Sequence, residues 1–257
     1  MGSVCFEAIV LGAMDYRESD RIVTLFTLEH GKIKGIARGA KKSVVRFGGS
    51  LEPFARLRTE IVLSDGLSLI RQADIVSVFP KILNDLKKIG LAGYACELTD
   101  LMLPEGMANP RLYRLLASYL EHLDSFPPSS SDRRFFEMNF LNVLGYCPSL
   151  DYCALCALEL DKAAWVLYPM AANGLFCSHC GRGGSSFSME TVDLLRRSLK
   201  TGRFGVISFP PKFLEEAGNF LDRALASHLP HTPKSLSFLR ETAEQPSHGA
   251  SRKSVDR

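Results

Sequence analysis

The chain has no run of about eighteen apolar residues in its 257, so no membrane span is expected. Its opening, MGSVCFEAIVLGAMDY, lacks a basic segment followed by an apolar core and a cleavage site. No leader peptide is expected from it. Gly2 runs straight into a strand-like pattern, which argues against N-myristoylation. There is no G-x-x-x-x-G-K-[ST] loop and no G-x-S-x-G elbow, which removes the P-loop and α/β-hydrolase chemistries. None of the six histidines stands in a His-x-Glu ahead of Pro-Cys-x-x-Cys, the arrangement a zinc deaminase needs. No internal repeat is visible, and the net charge is only +3.

What is present is ordinary globular material: 46% hydrophobic and 23% charged residues, enough for real cores in two or three small domains. Residues 4 to 80 read as about five short strands. VCFEAIVL mixes β-branched and aromatic residues, RIVTLFTLEHGKIKGIA turns near His30-Gly31, and Asp65-Gly66 is a hairpin signal. Five strands with tight turns and no long helix suggest a small OB-fold barrel. After Pro80 the period becomes helical. One helix is expected from Lys81 to near Pro104. A second starts at Asn109-Pro110 and carries Leu112, Leu115, Leu116, Tyr119, Leu120 and Leu123 on one face. A third, capped by Asp132, carries Phe135, Phe136, Phe140, Leu141 and Leu144 and stops at Gly145. Ser188 opens another, ending at Gly202, and 211–229 reads as a further helix.

The expected fold class is therefore α+β and multidomain. An OB-fold nucleic-acid-binding domain covers 1–80, and a helical domain covers 81–148 and 187–242. A zinc-binding module is inserted at 149–186, and GRGGSS at 181–186 is read as its flexible exit. Residues 243–257 have almost nothing apolar and are expected to be a disordered tail.

The seven cysteines divide into two kinds. Cys5, Cys96 and Cys147 stand singly among apolar or aromatic neighbours, the setting of small buried residues. Cys153, Cys156, Cys177 and Cys180 form C-x₂-C-x₂₀-C-x₂-C. Paired C-x-x-C motifs in a reducing, cytoplasmic setting point to metal. Four thiolates close a tetrahedral shell around Zn²⁺, which implies one structural zinc per chain rather than a catalytic one with an open position. An iron–sulfur centre and disulfides are the alternatives. A thioredoxin-like pair would need a βαβ unit, which is absent. His179, inside the second turn, reads as a solvent-exposed residue.

From Lys32 to Arg58 there are eight basic residues and one acid, Glu52, a candidate footprint for an anionic polymer. Phe47 and Phe54 are the nearest aromatics, and each reads equally as a stacking or a core residue. Asp15, Glu18 and Asp20 cluster three carboxylates, read as a solvated turn, with a metal site as the alternative.

Taken in order, five stretches resemble the RecO family of bacterial DNA repair proteins. VLGAMDYRESDRIVTLFTLEHGKIKGIARGAKKS is similar to the family's N-terminal barrel, and RFGGSLEPF to the stretch that follows it. YACELTDLMLPEG and FEMNFLNVLGYCPSLDYCALC resemble its helical domain and zinc entry, and HLPHTPKSLSFL its final segment. The resemblance implies a non-enzymatic recombination mediator of the bacterial cytoplasm. Such a protein binds ssDNA and dsDNA and anneals complementary strands. With RecR it helps RecA displace single-strand-binding protein, whose C-terminal tail the family contacts through the helical domain. It also implies that Lys34, Arg38, Lys41, Lys42 and Arg46 bind DNA. Some members lack the four cysteines; this chain keeps them. Val44-Val45 departs from the small polar residues that many members carry there. The rival readings are an OB/zinc protein acting on RNA and a metal-dependent nuclease using the acids at 15–20.

Overall fold

The computed structural model describes residues 2–160, 165–168, 174–182 and 184–244. Five strands form a closed barrel: β1 (Val4–Tyr16), β2 (Asp20–Thr27), β3 (Gly31–Ala37), β4 (Arg56–Val62) and β5 (Ser68–Ser77), in the order β1-β2-β3-β5-β4. The first strand closes it by pairing twice, Val4–Ile9 with β4 and Ala8–Tyr16 with β2, with a register shift between Val10 and Gly12. Between β3 and β4 sits a one-turn helix, α1 (Val44–Phe47), which the sequence pattern did not announce.

Helices follow: α2 (Pro80–Leu83), α3 (Leu86–Met102), α4 (Pro110–Ser125) and α5 (Ser130–Leu144). The long helix expected from Lys81 is thus two, broken where Asp85 caps α3 by accepting from the Lys87 and Lys88 N–H groups. Asn109 caps α4 as expected. Asp132 does not cap α5: Ser129 does. Asp132 lies in the first turn, where it takes a 2.9 Å bond with His122 Nε2 and one from the Gly205 N–H at 2.8 Å.

Beyond α5 comes a three-stranded sheet that the poor periodicity of 146–187 did not disclose, β6 (Trp165–Tyr168) between β7 (Phe176–Cys177) and β8 (Ser185–Ser188). Residues 185 and 186, read as part of a flexible exit, pair with Tyr168 and Leu167 of β6. Then come α6 (Met189–Lys200), α7 (Pro211–Ala226) and α8 (Ser235–Glu244). Ser188 precedes α6 as expected, although its hydroxyl donates to Glu216 at 2.6 Å rather than capping. The helix α8 reaches into the first residues of the expected tail; the remainder of that tail, 245–257, lies outside the described residues. No helix among the described residues is long and apolar enough to cross a membrane.

Strand alternation divides the barrel wall between two cores. Phe6, Ala8 and Val10 of β1 and Val23 and Leu25 of β2 fill the barrel. Ile9, Leu11 and Phe26 face outward into the same apolar cluster as the helices, where Phe26 meets Tyr113 edge-on at 5.5 Å. Cys5, expected to be buried, is exposed, because it lies on the face of β1 opposite Phe6, near the strand's uncovered start. The approach is closest at Gly31, whose φ is +67°. A Cβ there would lie 2.1 Å from the Met107 carbonyl oxygen, so only glycine lets β3 start against the segment leading into α4.

Candidate nucleic-acid interface and metal centre

The eight basic residues of the Lys32–Arg58 run separate once they fold. Lys32 is buried at 8% exposure, its ammonium bonded to the Asp100 carbonyl and 3.0 Å from the Asp100 carboxylate. Arg56 spans Glu7 at 3.1 Å and Glu121 at 3.3 Å, tying the barrel to α4. These two cations hold the barrel against the helices. The signal available in the sequence was only their sign; the acids they meet lie 49 to 68 residues away along the chain.

Lys34, Arg38, Lys41, Lys42 and Arg46 are all exposed. Lys34 points outward from β3 and pairs with Glu105 at 2.8 Å. The Glu105 contact raises the affinity of Lys34 for its proton. The other four lie in or beside the loop from β3 to α1. That loop is fastened to the β1–β2 turn: the Lys41 N–H donates to the Ser19 carbonyl at 3.0 Å, and the Gly39 N–H to Asp20 Oδ1 at 2.8 Å. Lys41 also pairs with Asp15 at 2.7 Å. Arg46 lies along its own helix, donating to Ser43 Oγ and the Arg38 carbonyl at 3.0 Å, its guanidinium 5.1 Å from the Phe47 ring centre. Gly48, at φ +43°, caps the helix and returns an N–H to Val44.

Phe47 and Phe54 are core residues at 2% and 8% exposure, so neither offers a ring to bases. The exposed aromatic near this loop is Tyr16, with the Arg17 guanidinium 5.1 Å from its ring centre. Asp15, Glu18 and Asp20 do not converge on a metal site. Asp15 serves Lys41 and Arg21, and the hydrogen bond from Lys41 holds its carboxyl below the ordinary range. Asp20 is held low first by the Gly39 N–H.

The four cysteines do converge. Their Sγ atoms all lie within 4.8 Å of one another, and they are the one group among the described residues with metal-ligand geometry. His179 is exposed in the second turn and outside the group. Two tight turns bring the thiols together. The Ala157 N–H donates to the Cys153 carbonyl at 2.9 Å, and the Cys180 and Gly181 N–H groups donate to the Cys177 carbonyl at 3.1 and 2.9 Å. The turns are held side by side by the Ala154 N–H to Leu175 carbonyl bond at 2.9 Å. Cys156 and Cys177 Sγ are 3.7 Å apart, matching the edge of about 3.8 Å for a tetrahedron with Zn–S near 2.3 Å. Burial opposes ionisation of Cys153, but the N–H groups of Cys156, Cys177 and Leu155 outweigh it and draw the thiol down to about 6. Hydrogen bonding to Cys156 and Cys177 pushes Cys180 up to about 12. A thiolate among thiols is the state a soft divalent cation captures.

Two family models match the chain: Recombination protein O N terminal over residues 1–79, and Recombination protein O C terminal over 83–237. The chain is 59% identical to the DNA repair protein RecO of Geobacter sulfurreducens, over 91% of this chain and 96% of that protein. It is 56% identical to that of Geobacter metallireducens, over 94% and 98%. To that of Myxococcus xanthus it is 36% identical, over 91% and 96%. With its five-stranded barrel, helical C-terminal region and four-cysteine cluster, the chain belongs to the RecO family of DNA repair and recombination proteins.

Proposed function

We propose that this protein is a non-catalytic recombination mediator whose barrel binds single- and double-stranded DNA through Lys34, Arg38, Lys41, Lys42 and Arg46. The observation that carries this reading is the loop from Arg38 to Arg46. It projects four exposed cations, without a single acid within it, from a scaffold fastened by backbone bonds. Cations held in this way neutralise phosphates and release counterions regardless of sequence. They also screen the repulsion between two strands, so annealing needs no reactive group. In the family's pathway the protein acts with RecR to help RecA onto DNA coated by single-strand-binding protein. It contacts that protein's C-terminal tail through its helices. This work belongs to the bacterial cytoplasm, with no membrane partner.

Cys153, Cys156, Cys177 and Cys180 hold one structural zinc per chain. When bound, the ion supplies a cross-link between the two turns and no reaction step. The donor set leaves no position for water, and the sulfur spacing suits the ion.

A strand-annealing assay with magnesium and product sizing tests the reading. Complementary strands joined at intact length are expected, and Lys41→Glu with Lys42→Glu should slow joining. Shortened products would replace the mediator with a nuclease. A preference for RNA over DNA would replace it with an RNA-binding protein.

A further inference from the structure

Val44 and Val45 are the two most exposed large apolar side chains among the described residues, at 80% and 93%. Two adjacent valines this exposed leave apolar surface whose burial by a partner would be favourable. They do not stand on a loose end of the chain. The Lys42 and Ser43 N–H groups both donate to the Gly39 carbonyl at 3.0 Å, and the Gly48 N–H returns to Val44 at 2.8 Å. Below the turn, Phe47 and Leu51 are buried in the barrel core. The valines therefore stand on an ordered, anchored tip, and the ordering cost of presenting them is met before any partner arrives.

The surroundings of the tip select its occupant. From Arg38 to Gly49 the chain has four basic residues and no acid. An apolar or acidic protein groove could take two valines, but a tip flanked along the chain by the exposed cations Arg38, Lys42 and Arg46 complements a polyanion whose interior is apolar. A nucleic acid strand has that construction. Phe47 and Phe54 are spent on the core, and the exposed Tyr16 stands at the end of β1, off the tip, so at the tip itself the side chains left to face bases are aliphatic. Apolar wedges at base steps are an established way for proteins to unstack DNA.

We infer that Val44 and Val45 form an apolar wedge that enters a base step of the DNA strand whose phosphates Arg38, Lys42 and Arg46 hold. This rests on the DNA-binding reading of the same loop. An unstacked step exposes base edges to an incoming complementary strand, which gives the annealing reaction a local starting point.

The test uses the full chain and a single-stranded oligonucleotide carrying 2-aminopurine, whose fluorescence rises when its stacking is broken. The protein should raise the signal on binding. Val44→Ser with Val45→Ser should abolish most of the rise and weaken binding at least about tenfold, the loss expected when even one of the two valine side chains no longer leaves water. Its salt slope should match that of the parent, because the slope counts phosphates. Val45→Leu, which keeps the apolar tip, should keep the rise and so separates loss of the wedge from damage to the loop. A rise and affinity unchanged by the serines would overturn the wedge, as would tight binding by the parent with no rise at any labelled position. A dimer that the serine variant dissociates, with the DNA signals unaltered, would assign the valines to a second copy instead and also overturn it. Failure of the underlying reading looks different. There, Lys41→Glu with Lys42→Glu would leave DNA affinity and its salt slope unchanged.

Discussion

Converting Lys41 and Lys42 to glutamine removes two of five exposed cations without adding charge of the opposite sign. Each phosphate neutralised on a single strand contributes roughly −0.7 to the slope of log K against log salt. Five such phosphates give a slope of about −3.5, so raising salt from about 50 to 200 mM should weaken binding about 100-fold. With three phosphates held, the slope falls to about −2.1 and the weakening to about 20-fold. The two lysines are not equivalent. Lys41 starts in a 2.7 Å pair with Asp15 and must exchange one anion for another, whereas no ion pair among the described residues holds Lys42. Lys42→Gln alone should therefore weaken binding more than Lys41→Gln alone. Asp15→Asn should tighten binding, by no more than about fivefold, the scale of an exposed pair. Anisotropy titrations at four salt concentrations read all of this. A double variant with the parent's slope would refute the assignment of phosphate binding to this loop.

Glu137 is fully buried and accepts from Tyr94 Oη and Arg133 Nε at 2.8 Å and from Arg134 Nη1 at 2.7 Å. Glu137→Ala should destabilise the fold by about 3–5 kcal/mol in urea titration, because it strands two largely buried cations, although Asp222 retains Arg134 at 2.7 Å. Burial favours its protonated form, but Arg134 and Arg133 prevail and hold its carboxyl below the ordinary value. Its contribution is thus present above the unfolded carboxylate range and lost as pH falls through the depressed folded value. Glu137→Gln should flatten that acid limb of the stability–pH curve. Metal analysis should return one zinc per chain, and Cys153→Ser should lower the melting temperature more than it lowers DNA affinity; iron in its place would refute the zinc assignment. Gly31→Ala should cost more than about 2 kcal/mol, since its φ is +67° and the Met107 carbonyl occupies the space; a melting temperature unchanged from the parent would count against that packing.

Local pattern accounts for much of what was legible. Alternation along VCFEAIVL, the turn at Asp65-Gly66, the Asn109-Pro110 cap and the leucine stripe of α4 act over a few residues. They are written in composition and spacing. The break at Asp85 and the cap at Ser129 were local as well, but competed with stronger neighbouring signals, a continuing apolar period and an Asp one turn later. The sheet of β6, β7 and β8 was hidden for another reason. Its strands are two to four residues long and gain their order from pairing and from the turns that carry the cysteines. Segments so short have too little periodicity to read.

From the sequence alone came a barrel followed by helices, four thiols at metal spacing and an excess of positive charge between Lys32 and Arg58. Only the tertiary structure decided which of those charges face solvent. Lys32 and Arg56 look no different from Lys42 along the chain, yet Lys32 is drawn to Asp100 of α3, and Arg56 to Glu7 on the neighbouring strand and to Glu121 of α4. The same holds for the cysteines, whose two turns meet because Leu175 and Ala154 share a backbone bond. It holds also for Val44 and Val45, left standing while Phe47 sinks into the core. The physical reason is common to all three. Periodicity and spacing report interactions within a few residues, whereas the availability of a charge, a thiol or an apolar side chain depends on what the rest of the chain brings to it.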